Sequence, residues 1–463
     1  MTTGIDLRGK RVLVVGLART GIATSLFCAK HGAVVTASDS RKEKELGEAV
    51  AQLKTAGVTL ELGAHLERTF VEQDLIIPSP GVPADAPLLQ AARAKGVTVW
   101  SEVELADYFL SGKLVGITGS NGKTTTTSLI EHILRSSGFP TILAGNIGMP
   151  LIGRVEETRD DTIAVVELSS FQLELTEKFR PNISVFLNLT PDHLDRHHTV
   201  AEYAAAKTRI FRNQSEHDAA ILNADDPETT PLAPQRPRVH WFSRKQRVAQ
   251  GAYLRGEEIV FRHDGVEEVI LKRDDVPLAG AHNLENVLAA VAATRLAGAD
   301  AAAIAKAVRS FTGVEHRLEF VVEIAGVRYY NDSKATNVDA TLKAIDAFPG
   351  RELIILGGKD KGSDYTLLQK PLREKAILAL LIGSAADKIE RQIAGSVAVE
   401  RAGNLERAVE IASHAAQSGD VVLLAPACAS FDQFENYEHR GRAFKELVRN
   451  LERQAAGASP GKR

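Results

Sequence analysis

The sequence predicts an α/β protein of several domains, and three observations predict it. Short continuous apolar runs, among them Val12–Val15, Ile163–Val166 and Leu353–Leu356, read as parallel strands buried on both faces. Each run ends in a glycine or polar turn that leads into a helical pattern, the alternation expected of βα units. At 463 residues the chain is also too long for a single core, so two to four domains are expected.

The bulk composition narrows the class. An apolar fraction of 44% and a charged fraction of 25% are ordinary for a globular enzyme. A net charge of -3 gives no reason to expect nucleic acid or an acidic membrane surface as partner. Cys28 and Cys428 are the two cysteines. They lie far apart and read as buried small apolar residues of a reducing compartment. Arg8-Gly9-Lys10-Arg11 followed by Val12–Leu17 mimics a leader peptide, but the apolar run is short and Arg19 interrupts it. No run is long enough to span a bilayer. The expectation is a cytoplasmic enzyme.

In the N-terminal domain, 1–110, Val12–Gly16 is the first strand. The turn Leu17-Ala18-Arg19-Thr20-Gly21 opens a helix, and the next strand ends at Ser38-Asp39-Ser40-Arg41. This is a Rossmann-like βαβ unit with an acid about twenty residues on. Ala18 replaces the glycine that admits a pyrophosphate closely, which argues against NAD and for a nucleotide held differently. Asp74–Ile77 is another strand, ending in the rigid turn Pro78-Ser79-Pro80-Gly81-Val82. Ligands of open α/β sheets sit at the carboxyl ends of strands, so the turns after Gly16, Ala37 and Ile77 are expected around one pocket. Ser111-Gly112-Lys113 marks the first domain boundary.

The central domain, 111–313, opens on Val115-Gly116-Ile117-Thr118-Gly119-Ser120-Asn121-Gly122-Lys123-Thr124-Thr125. Strand, glycine turn and helix start form a phosphate cradle of backbone N–H groups and helix dipole. Lys123 is expected at the β/γ-phosphates and the Thr124 hydroxyl at Mg²⁺. Ile117 stands where the strict P-loop pattern has glycine, so the loop is a variant. Asn146 lies in a glycine-bracketed turn. Glu167 ends the buried strand Ile163–Val166, and a buried carboxylate is costly unless paired or bound to metal, so a Mg²⁺ role is expected. Downstream, Asp192-His193-Leu194-Asp195-Arg196-His197-His198 crowds three histidines into one loop. His193 is the candidate for an ion near the phosphates; His197 and His198 are expected in solvent. On the helix Ala201–Phe211, Tyr203, Lys207 and Phe211 share a face, and from pattern alone Lys207 is structural. Residues 236–276 alternate like a small antiparallel sheet. His282, Asn283 and Asn286 begin a long alanine-rich helix, where side-chain amides can reach a purine.

The C-terminal domain, 314–463, follows Thr312-Gly313. Strands at Glu319–Ile324, Val327–Asn331, Leu353–Leu356, Ala379–Ile382 and Val421–Leu424, with helices between, read as a second Rossmann-like sheet. The stretch 457–463 is small and polar and reads as a disordered tail.

Together these motifs resemble the ATP-dependent Mur ligases of peptidoglycan synthesis. The resemblance rests on Thr118–Thr124, Glu167-Leu168-Ser169-Ser170-Phe171-Gln172-Leu173, Asp192–Asp195, Tyr203–Lys207 and His282–Asn286. It also rests on Asn331-Asp332-Ser333-Lys334-Ala335-Thr336-Asn337 and Pro426–Phe434, and it covers nearly the whole chain. It implies UDP-binding, ATP-binding and amino-acid-binding domains in that order, the last closing over its substrate. It further implies ATP-dependent joining of D-glutamate to UDP-N-acetylmuramoyl-L-alanine through an acyl phosphate, by a monomer. The implied cofactors are two Mg²⁺ ions and CO₂, carried by Lys207 as a carbamate that serves as an anionic metal ligand.

The same resemblance distributes the site residues. Gly119, Ser120, Asn121, Gly122, Lys123, Thr124 and Thr125 hold ATP, with Asn283, Asn286, Arg317 and Asp332 at the nucleotide and Lys334 at its terminal phosphate. Thr124, Glu167, His193 and Lys207 are the implied metal ligands, and Lys123, His193 and Lys207 the catalytic set. Leu17, Arg19, Thr20, Asp39, Ser40, Arg41, Ser79, Gly81 and Asn146 are assigned to the UDP-sugar. Thr336, Lys361, Ser430, Tyr437 and the backbone around Phe431 are assigned to D-glutamate. Tyr437 stands where such enzymes often have phenylalanine.

Overall fold

A computed structural model describes residues 5–457. The chain divides into two compact units, Met1–Val276 with Glu285–Ser310, and Pro277–Leu284 with Phe311–Arg463. The tail assigned to 457–463 lies, beyond Gly457, outside the described residues.

The first unit holds two sheets. β1 (Arg11–Val15), β2 (Val34–Asp39), β3 (Thr59–Leu62), β4 (Leu75–Pro78) and β5 (Thr98–Val99) form a parallel sheet in the order β3-β2-β1-β4-β5. The order reverses between β1 and β4, and a crevice for a ligand opens at such a switch point. The turns expected to face one pocket follow β1, β2 and β4, which are neighbours in this sheet. The helix α1 (Arg19–Lys30) begins at the first of these turns.

The second sheet has nine strands. β6 (Lys113–Thr118), β7 (Thr141–Gly145), β8 (Ile163–Glu167), β9 (Ile183–Phe186), β10 (Ala219–Asn223), β11 (Arg238–Ser243), β12 (Gly251–Arg255), β13 (Glu258–His263) and β14 (Val266–Lys272) lie in the order β14-β13-β12-β11-β10-β9-β6-β8-β7. Pairing is parallel from β7 to β12 and antiparallel from β12 to β14. The antiparallel strands expected within 236–276 are therefore the far end of the ATPase-like sheet, joined to it by the parallel β11–β12 pair. A shared apolar cluster, including Val12, Val14, Leu105, Leu151, Ile152, Val166 and Phe186, packs the two sheets of this unit together.

The second unit is built on β15 (Glu319–Ile324), β16 (Val327–Asn331), β17 (Glu352–Gly357), β18 (Ala376–Ile382), β19 (Val399–Gly403) and β20 (Val421–Leu424). Their order is β15-β16-β20-β17-β18-β19, parallel apart from the β15–β16 pair. The ends of β16, β20 and β17 are adjacent, so the loops they feed share one edge. Apolar clusters cover both faces, with Ile354, Leu356 and Leu423 on one and Leu353, Ile355 and Leu424 on the other.

Candidate active site

The phosphate loop follows β6, whose neighbours are β8 and β9. Gly122 has φ 83 and caps the helix α2 (Lys123–Ser136). A Cβ there would lie 2.3 Å from Asn286 Oδ1, so only glycine fits. Asn286 is buried and accepts a hydrogen bond from Thr126 Oγ1 at 3.2 Å, which holds this purine-side candidate against the phosphate helix. Lys123 Nζ donates to the carbonyls of Gly119 (2.8 Å) and Ser120 (2.9 Å), and Thr124 and Thr125 are buried at the helix start.

The segment after β9 braces this loop. Ser120 N donates to Asn188 O (2.9 Å) and Asn121 N to Asn188 Oδ1 (2.8 Å). Ser120 Oγ donates to Thr190 O (2.9 Å), and Asn121 Nδ2 to Thr190 Oγ1 (3.3 Å). Sequence reasoning passed over Asn188 and Thr190, because a polar strand-end loop without glycine carries no phosphate signature.

Glu167 ends β8 and is 3% exposed. Its Oε1 accepts Asn146 Nδ2 at 2.9 Å, while Oε2 is buried with no hydrogen-bond partner among the described residues. An orphaned carboxylate oxygen in a dry site fits a cation. Asn146, assigned to the sugar nucleotide, is thus brought onto the candidate metal ligand. Among the described residues no three His, Cys, Asp or Glu side chains form a metal cluster. The expected donor set is a mixed one, a hydroxyl, a carboxylate, an imidazole and a modified lysine.

Lys207 lies on the helix α5 (Val200–Thr208), preceded by two short helices, α3 (Ser170–Leu173) and α4 (Leu194–His197). It is 1% exposed. Its Nζ donates to Gly119 O (2.8 Å) and Thr118 Oγ1 (3.4 Å) and lies 4.6 Å from the centre of the Tyr203 ring. Burial, reinforced by the charge of Lys123, pushes its pKa well below the usual lysine range against the opposing pull of Asp192 and Glu167. A pattern that reads as structural thus holds an amine biased towards its uncharged, nucleophilic form.

His193 is half exposed, with φ 53, its Nε2 3.6 Å from Asp192 Oδ2 and its ring 4.9 Å from Phe171. One expectation is corrected here. His197 is not in solvent; it is 3% exposed, with Nε2 2.9 Å from Ser170 Oγ and Nδ1 3.2 Å from Glu174 Oε1. The partners come from α3 and the residue after it, so no local spacing announces the burial. His198 is exposed, as expected.

At the N-terminal sheet, Asp39 Oδ2 accepts Leu17 N (2.7 Å), and Asp39 pairs bidentately with Arg41 through Nε (3.0 Å) and Nη2 (2.8 Å). The Arg41 guanidinium holds the Asp39 carboxyl down at about 2. Ser79 Oγ donates to Gly16 O (2.7 Å), tying the β1 and β4 turns. Arg19 Nη1 donates to Gly148 O (3.3 Å), two residues past Asn146. Thr20 is half-buried, and Ser40 and Gly81 are exposed beside these groups.

In the second unit the loop after β16 carries Asp332, Lys334 and Thr336. Asp332 is buried and its carboxyl is pushed up to about 7, with the charges of Arg317 and Lys334 opposing the shift. Lys334 Nζ lies 5.8 Å from the Tyr437 ring centre. Ser430 is buried, Lys361 exposed, and Phe431 67% exposed. Arg440, which sequence reasoning missed, is 1% exposed. It donates to Ser333 Oγ (3.0 Å), Ser333 O (2.8 Å) and Cys428 O (3.2 Å), joining the loops that hold Thr336 and Ser430. Asn283 Nδ2 donates to Ala279 O (2.7 Å) at the start of the helix Ala281–Ala297.

Comparison with known proteins identifies the family. Residues 10–101 match the family model "Mur ligase MurD-like, N-terminal domain", 117–294 "Mur ligase middle domain", and 316–428 "Mur ligase, glutamate ligase domain". The chain is 54% identical to a UDP-N-acetylmuramoylalanine–D-glutamate ligase of Koribacter versatilis, over 97% of this chain and 99% of that protein. It is 53% identical to the protein of that name from Solibacter usitatus, over the same shares. Among solved structures, a pseudomurein peptide ligase type C from Methanothermus fervidus superposes with a TM-score of 0.59 at 19% identity, over 96% of this chain and 100% of that one. The MurF ligase of Thermotoga maritima in complex with ADP gives 0.58 at 16% identity, over 96% of each chain. The structural likenesses show the fold; the family models, met in order along the chain, and relatives more than half identical from end to end show that this protein belongs to the Mur ligase family.

Proposed function

We propose that the protein is a UDP-N-acetylmuramoyl-L-alanine–D-glutamate ligase, acting as a monomer in the cytoplasm, where ATP is available. It would supply a peptidoglycan precursor and so serve cell shape and division. The specificity for D-glutamate rests on the relatives that carry that name. The observation that carries the ligase chemistry is Lys207, buried, donating to the Gly119 carbonyl of the phosphate loop and biased to the amine. We read the domains as 1–110 for the UDP-sugar, 111–313 for ATP and 314–463 for the amino acid.

A carboxylate is a poor acylating agent because its leaving group would be oxide. Transfer of the γ-phosphoryl group of ATP to the substrate carboxylate gives an acyl phosphate and ADP. The deprotonated amine of D-glutamate then attacks, and the tetrahedral intermediate collapses with loss of phosphate. The protein's task is positioning and charge neutralisation. The loop amides of Gly119–Thr125 and the ammonium of Lys123 neutralise the phosphates. Lys334 serves the terminal phosphate, while Asn283, Asn286, Arg317 and Asp332 hold the nucleotide.

Thr124, Glu167, His193 and a carbamylated Lys207 would hold two Mg²⁺ ions, which when bound supply charge neutralisation and align the phosphate oxygens. The uncharged Lys207 amine takes up CO₂ with loss of a proton, becoming an anion. Leu17, Arg19, Thr20, Asp39, Ser40, Arg41, Ser79, Gly81 and Asn146 receive the UDP-sugar. Thr336, Lys361, Ser430, the Phe431 backbone and Tyr437 receive D-glutamate, which needs donors for two carboxylates.

The test is to incubate the purified protein with ATP, Mg²⁺ and UDP-N-acetylmuramoyl-L-alanine and offer amino acids one at a time. Phosphate release with D-glutamate alone supports the reading. Release with a different amino acid indicates a sibling ligase, and none with any indicates a nucleotide-binding protein without ligase activity.

A further inference from the structure

The short helix α4 carries His193 at its N-cap, and little of its own structure fixes it. It is one turn long, below the length at which a helix is stable by itself. Its flanking residues His193 and His198 have φ 53 and 59. It borders a cavity of about 320 Å³ whose wall includes Arg196, His197 and His198.

Polar and ring contacts from neighbouring segments hold it, most of them from residues 170–174. Glu174 accepts Arg196 Nη2 on Oε2 at 2.9 Å and faces His197 Nδ1 with Oε1 at 3.2 Å. Ser170 Oγ lies 2.9 Å from His197 Nε2. The Phe171 ring packs between them, stacked on His197 at 5.4 Å, 4.8 Å from the Arg196 guanidinium and 4.9 Å from His193. Arg196 Nη2 also donates to Val82 O at 3.0 Å. The clamping side chains are mostly buried, with exposures of 2% for His197, 13% for Arg196 and 17% for Glu174. Both ends of the clamp lie on the candidate site. Ser170 and Phe171 follow Glu167 in the same segment, and Val82 follows Gly81.

We propose that Glu174 and His197 are positioning residues that clamp α4 and thereby hold His193 in its place against Phe171. The proposal rests on the ligase reading for its kinetic consequence, but the clamp itself is testable without it. Groups that orient a ligand or catalytic side chain commonly change activity by about 10–100-fold when removed. Their loss falls on kcat where the orientation matters only in the transition state.

The experiment uses the full chain, comparing wild type with Glu174→Ala, His197→Ala and His197→Gln. Amide hydrogen exchange reads 192–198 against β6, β8 and β9, and steady-state kinetics run alongside. Three results together support the clamp. Exchange accelerates in 192–198 alone; kcat falls about 10–100-fold with KM for ATP and D-glutamate within about twofold; and His197→Gln, which keeps a donor and an acceptor, recovers part of both. Unchanged exchange in 192–198, or acceleration spread through β6, β8 and β9, overturns it, the latter marking a general structural role. A kcat equal to that of an active wild type also overturns it. Should wild type release no phosphate with any amino acid, the ligase reading fails, and the exchange measurement alone decides the clamp.

Discussion

Glu352 is the first residue of β17 and is 0% exposed, and both of its carboxylate oxygens lack a hydrogen-bond partner among the described residues. Burial pushes its carboxyl from an ordinary 4.5 up to about 8, although the charge of Lys375 pulls the other way. The folded protein therefore keeps a proton that the unfolded chain has released. A raised acid gives stability that is full below pH 4.5 and is lost progressively up to pH 8. At about 1.4 kcal/mol per unit, the loss reaches roughly 3 kcal/mol at pH 7 and about 5 above pH 8. Glu352→Gln keeps the shape and stays neutral, so its advantage over wild type should be below about 1 kcal/mol at pH 5. It should then grow to about 3 kcal/mol at pH 7. The readout is amide exchange in β17, β18 and β20 between pH 5 and 9, corrected for the intrinsic rate. Stability curves for wild type and variant that run parallel across this range would refute the reasoning, because Glu352 would then be ionised and paired in the folded protein.

Three further outcomes are expected. Gly122→Ala drives a Cβ to 2.3 Å from Asn286 Oδ1 at φ 83. It should weaken ATP binding more than tenfold by calorimetry and cost about 1–3 kcal/mol of stability. Lys207→Ala should nearly abolish ligation, and short carboxylic acids added to the assay should restore part of it; an unaffected rate refutes the carbamate. Lys361 is exposed, so Lys361→Ala should leave the fold intact and raise KM for D-glutamate about tenfold with KM for ATP unchanged.

What was legible in the sequence is what is local. Buried parallel strands announce themselves as apolar runs, and the phosphate loop by glycines and a lysine at fixed spacing. Glu167 reads correctly as buried because it ends such a run. The rest depends on segments far apart in the chain. His197 sits in a polar loop, and only the approach of Ser170 and Glu174 buries it. Lys207 lies visibly on an apolar helix face, yet its bias to the neutral amine needs the desolvation and Lys123 that the fold supplies. Arg440 stands on an exposed-looking amphipathic helix, Tyr437–Gly457, and its acceptors come from residues 333 and 428. The strands of 236–276 have the right alternation, but their union with the ATPase sheet depends on the parallel pairing of β11 with β10, which alternation does not encode.

That union sets a limit on how the molecule can be trimmed. Deleting 236–276 as a dispensable appendage would strip β11 from β10, whose five residues Ala219–Asn223 are all buried. The shortened protein would present a naked, flat apolar edge with unpaired N–H and C=O groups. Such an edge recruits other strands, so aggregation is the expected fate of the deletion.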